Sequence, residues 1–127
     1  MRQALRLVLL LFATKAFAEQ PRYSTPQNVF DAMRPAFRAD AAKDVHARYQ
    51  WEISGPNGGE WWIIVNDGKY QMGRGHIENP NVTFVSSDKD WVAISNGTLA
   101  GTWAFITGRL KIRGSQSLAR KLDEIFP

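Results

Sequence analysis

Residues 104–122 read AFITGRLKIRGSQSLARKL, and the backbone period changes twice within that stretch. Ala104, Phe105 and Ile106 close a short apolar helix that opens at Leu99, and Gly108 stops it, as glycine commonly does just past a helix C-terminus. Leu110 and Ile112 then alternate with Arg109, Lys111 and Arg113, the period of two expected of a strand with one buried face. Gly114 breaks the strand. Ser115 is a helix N-cap residue, and Leu118, Leu122 and Ile125 recur along one face of a closing helix. Helix, strand and helix in this order predict a mixed α+β fold.

The preceding stretches supply the other strands. Ser87, with Asp90 three residues later, has the pattern of a capping box before Trp91, Val92 and Ile94, and Asn96-Gly97 ends that helix. Val82–Ser86 is a fourth strand after the Asn79-Pro80 break, and Lys69–Arg74 a third. Asp67-Gly68 is a preferred pair for a tight hairpin turn. Glu60–Asn66 is apolar on both faces, which predicts a covered central strand. In Val45–Ser54, Val45, Ala47, Tyr49, Trp51 and Ile53 share one face, while His46, Arg48, Gln50, Glu52 and Ser54 share the wet one. The first half therefore reads as a largely antiparallel meander. Before it, Thr25-Pro26 starts a helix with Val29, Phe30, Met33 and Phe37 at helical spacing, and Pro35 should kink or shorten it.

Residues 1–18, MRQALRLVLLLFATKAFA, have the form of an export signal: Arg2 and Arg6, the apolar run Leu7–Ala13, and an Ala16-Phe17-Ala18 cleavage pattern. The run is too short to span a bilayer, which takes ~20 apolar residues. The expectation is a signal over 1–18, a linker over 19–25 and one domain over 26–127, in a periplasmic or secreted protein; the alternative is a cytoplasmic protein that keeps the segment.

Composition removes several function classes. The chain has 127 residues, room for one domain, and no cysteine, so disulfides, thiolate chemistry and cysteine zinc sites are excluded. Its two histidines, His46 and His76, have no metal-ligand spacing. The net charge of +4 suggests nucleic acid, but Arg2, Arg6 and Lys15 of the leader account for most of it, and no nucleic-acid partner is expected. Gly73-Arg74-Gly75 is an incomplete nucleotide fingerprint with no long helix after it. Asp88 and Asp90 suit helix capping, and no catalytic set of Ser, His and acid is legible. The expectation is a domain without catalysis or cofactor.

Three stretches together resemble the sterol-carrier-protein domain family. They are Val82-Thr83-Phe84 followed by Ser87-Asp88 and Trp91; Gly97-Thr98-Leu99; and Ala104-Phe105, Gly108, Leu110-Lys111-Ile112 and Gly114, followed by Leu118-Ala119 and Lys121-Leu122. The resemblance extends from about Pro26 to Phe126. It implies a five-stranded, mostly antiparallel sheet with helices packed on one face, enclosing an apolar tunnel that binds a lipid or another long apolar molecule. It also implies an alternative role as an accessory module that presents apolar substrates to a partner enzyme. The chain departs from some members in lacking an extension after its last helix and a Ser-Lys-Leu ending.

The residues expected to line the cavity are Phe30, Phe37, Trp91, Trp103, Phe105 and Ile106, because short apolar helices part from a sheet more readily than strands part from each other. Arg109, Lys111 and Arg113, with Arg120 and Lys121 beyond, would face an anionic membrane at ~1 kcal/mol per basic residue, or else guard an exposed strand edge with charge.

Overall fold

The computed structural model describes residues 22–127; the proposed leader and residues 19–21 of the linker lie outside them. Helix α1 (Pro26–Ala36) precedes strands β1 (His46–Ser54), β2 (Gly59–Asn66), β3 (Lys69–Arg74) and β4 (Val82–Ser87). Helices α2 (Asp88–Asn96) and α3 (Gly101–Ile106), strand β5 (Leu110–Gly114) and helix α4 (Gln116–Ile125) follow. The five strands form one sheet in the order β3-β2-β1-β4-β5.

The helix ends follow from the capping residues. Thr25 and Ser115 each accept a backbone N–H three residues on, from Asn28 and Leu118, both at 3.2 Å. Ser87 accepts from the Asp90 N–H at 3.1 Å, but the Asp90 carboxylate turns away to Arg109, so the capping box is only half made. Helix α1 ends one residue past Pro35, where Phe37 is extended. The β2–β3 hairpin turns on Asp67 and Gly68, both at positive φ, as a two-residue turn of this twist requires.

The meander stops after β3. Strand β4 does not pair with β3; it crosses over and lies parallel to β1, while β1–β2, β2–β3 and β4–β5 are antiparallel. The side chain of Gln50 fixes that crossing. It is fully buried on the wet face, donates to the Gly75 carbonyl at 3.0 Å and accepts from the Ile77 N–H at 2.9 Å. Asn81 then docks on the Arg48 backbone from both sides. The central strand is thus β1, not β2. Trp61, Ile63 and Val65 of β2 face the core, and its other face is only partly covered, Trp62 lying over Gly73 of β3.

The core sits on one face of the sheet. Tyr49 and Trp51 of β1 lie beside Ile63 and Trp61 of β2 and beside Val82 and Phe84 of β4. Helix α1 covers one half: the Phe30 ring stacks on Trp61 at 4.9 Å and meets Trp51 edge-on at 5.0 Å. Helix α4 covers the other half through Leu122 and Ile125, and the Tyr49 hydroxyl donates to the Leu118 carbonyl at 2.8 Å. Burial pushes the Tyr49 pKa up to about 12.

Candidate functional site

Helix α3 rests on β5, and α4 rests on β4 and β5, but the two helices do not close on each other. Between them lies a groove of about 410 Å³, within the range of ~300–1,000 Å³ usual for small-molecule sites. Phe84, Leu110 and Ile112 form its floor. Trp91 and Ile94 of α2 and Phe105 of α3 form one wall; Ala119 and Leu122 of α4 form the other. Polar groups stand at the rim: Thr102 on one side, Gln116, Arg120 and Asp123 on the other. The space is open to solvent along this rim, so what the structure shows between helices and sheet is a groove rather than a sealed tunnel.

The electrostatics of the rim are asymmetric. Arg120 has no ion-pair or hydrogen-bond partner among the described residues, whereas Arg109, Arg113 and Lys121 are engaged by Asp90, Glu52 and Glu124. Desolvation raises the Asp123 carboxyl above the ordinary carboxylate value. The indole N–H of Trp91 is buried in the wall without an acceptor among the described residues, as is that of Trp51 behind it; an unmet donor of this kind costs ~1–3 kcal/mol.

Of the six residues expected to line the cavity, the structure brings Trp91 and Phe105 together in the groove. Phe30 is packed under the other half of the sheet, and Phe37 lies against Tyr70 and Phe126. Trp103 and Ile106 point outward from α3. The floor residues Phe84, Leu110 and Ile112 and the α4 wall are absent from the expected set. Their signal was the fifth-strand alternation, which places Leu110 and Ile112 on the helix-bearing face. Arg109, Lys111 and Arg113 surround the wet side of edge strand β5. There Arg109 meets Asp90 at 2.7 Å and Arg113 meets Glu52 at 2.8 Å. Lys111 lines a broader hollow of about 570 Å³ together with Glu52, Glu60 and Asp90. That hollow is more open, and its carboxylates are already spent on Arg113, His76 and Arg109. The apolar groove is therefore the better candidate site. No group of three or more metal-ligating side chains occurs among the described residues.

A model of the SCP-2 sterol transfer family matches residues 30–127. Hydroxysteroid dehydrogenase-like protein 2 of Xenopus tropicalis is 32% identical over 90% of this chain, but the match spans 28% of that protein. The chain likewise spans about a quarter of the length of the other curated relatives it matches. Palmitated SCP2L2 from Aedes aegypti superposes with a TM-score of 0.63 at 23% identity, over 81% of this chain and 95% of that one. The sec-alkylsulfatase Pisa1 from Pseudomonas sp. superposes with a TM-score of 0.67 at 21% identity, over 85% of this chain and 17% of that one.

Proposed function

This chain belongs to the SCP-2 sterol transfer family, and from that premise we propose that it binds a long-chain lipid in the groove between α3 and α4, without catalysis or cofactor. The observation that carries the reading is the groove itself: an apolar floor of Phe84, Leu110 and Ile112, with Arg120, which has no ion-pair partner among the described residues, at the rim. Each methylene enclosed contributes ~0.8 kcal/mol, so about twelve contribute on the order of 10 kcal/mol. That is comparable to the ~4–15 kcal/mol cost of association. An acyl chain would lie on the floor with its head near Arg120, and palmitate, carried by the Aedes aegypti protein, is a suitable probe.

The test has two arms. Lipid extracted from natively purified protein and identified by mass spectrometry should contain long-chain species. Palmitate at about a hundred times its dissociation constant should add ~2.7 kcal/mol to folding stability. Fatty acids, phospholipids, sterols and quinones that all leave the melting temperature unchanged would overturn the proposal.

A second reading is favoured by the company the fold keeps. It occupies a minor share of a dehydrogenase-like protein and of an alkylsulfatase, so we propose that it can serve as an accessory module presenting apolar substrates to a partner enzyme. Turnover by a co-purifying enzyme that rises when the domain is added would support this. For residues 1–18 we propose an export signal, with a mature protein beginning at Glu19. N-terminal sequencing that finds residues 1–18 intact in a cytosolic fraction would refute the export proposal.

A further inference from the structure

Among the described residues three large apolar side chains are exposed, Trp103 at 58%, Phe105 at 42% and Ile106 at 67%, and all three belong to α3. A water-soluble surface seldom gathers its exposed rings on one short element without a use for them. The surrounding sequence is equally unusual. From Trp91 to Gly108 there is no charged residue, and the flanking charges, Asp90 and Arg109, neutralise each other.

The helix divides its side chains three ways. Ala104 is fully buried and anchors α3 to the core. Thr102 and Phe105 line the groove. Trp103 and Ile106, three residues apart, share the outward face. Packing does not require that outward face, and a six-residue helix without a side-chain N-cap has little stability of its own. Tryptophan at such a tip is well suited to the interfacial layer of a bilayer, where its ring is apolar and its N–H meets water. The nearby charge complements an anionic surface: Arg120, across the groove from Phe105, has no ion-pair partner among the described residues.

We propose that α3 is the membrane-docking element: Trp103 and Ile106 enter the headgroup layer of an anionic bilayer, Arg120 meets its phosphates, and the groove behind Phe105 opens toward the lipid. The proposal rests on the lipid-binding reading and adds the surface through which lipid would enter.

The test uses the full chain with phosphatidylcholine vesicles, with and without phosphatidylglycerol. Wild-type protein should partition onto the anionic vesicles and release with salt. The Trp103→Ser/Ile106→Ser variant should partition roughly tenfold less well, since two exposed apolar anchors are lost. Brominated lipids should quench wild-type emission and should lose most of that effect on the Trp103→Phe variant. Because both side chains are exposed, the double variant should keep its melting temperature and its palmitate affinity in vesicle-free buffer.

Equal vesicle partitioning by wild type and double variant would overturn the proposal, as would palmitate-binding wild type that ignores vesicles; in the latter case the lipid-binding reading stands. Failure of wild type to bind palmitate, with vesicle docking intact, would remove the lipid-binding reading instead. Concentration-dependent self-association that the double variant abolishes would assign this face to a second copy of the chain and also overturn the proposal.

Discussion

Phe30→Ala and Phe105→Ala remove the same ring from one buried and one half-exposed position, and the structure gives them opposite consequences. Phe30 is fully buried, stacked on Trp61 and edge-on to Trp51. Its truncation loses the transfer energy of the ring, two aromatic contacts and the filling of the cavity left behind, ~3–5 kcal/mol in all. For a domain of about 100 residues, each kcal/mol shifts the melting temperature by ~4–8 °C, so Phe30→Ala should melt roughly 12–40 °C lower. Phe105 is 42% exposed. Only part of its transfer energy is realised, so the loss should be ~1 kcal/mol, or about 4–8 °C. Ligand should reverse the order. Phe105 walls the groove and Phe30 does not, so palmitate should raise the melting temperature of Phe30→Ala about as much as that of wild type, and that of Phe105→Ala much less. Calorimetry with and without palmitate measures both quantities. If Phe30→Ala loses less than ~1 kcal/mol, the packing argument is wrong. An undiminished palmitate effect in Phe105→Ala would show that the lipid lies elsewhere.

Arg120→Gln should weaken palmitate by about tenfold while leaving hexadecanol nearly unchanged, a comparison that titration calorimetry makes directly. Gln50→Leu should cost roughly 2–4 kcal/mol in urea unfolding, because it leaves the Ile77 N–H and three carbonyls without their buried partner. The Asp90 carboxyl is held below the ordinary value of 3.8 by its hydrogen bond to Arg109. Its contribution is therefore present above pH 3.8 and is lost as the pH falls through the lower, folded value; Asp90→Asn should flatten the acid limb of the stability profile. Asp123 has the opposite sign. Its folded pKa is raised by desolvation, so its contribution is present below pH 3.8 and is lost as pH rises through the folded value, and Asp123→Asn should stabilise the protein at neutral pH.

Local chemistry made most of the elements legible in the sequence. Alternation over Val45–Ser54 and Leu110–Arg113, the Asp67-Gly68 pair, and Thr25, Ser87 and Ser115 as caps each act within a few residues, so the chain displays them directly. The placement of β4 was not legible. Nothing within Val82–Ser87 says which strand it joins; that is decided by Gln50, whose long-range hydrogen bonds to the Gly75–Ile77 segment carry the chain across the wet face.

The site divides in the same way. The sequence alone determined that the helices after β4 are short, apolar and aromatic, that a basic strand follows, and that thiolate chemistry and cysteine zinc sites are excluded. Which rings line a groove, which fill the core and which meet solvent depended on the rotation of each helix against the sheet. Phe30 and Phe105 look alike in the sequence, yet one is locked between two tryptophans and the other walls a groove. Periodicity identifies an apolar face but not what that face meets. Only the separation of α3 from α4 on a shared sheet, set by how each packs on β4 and β5, decided where the molecule leaves apolar surface unfilled.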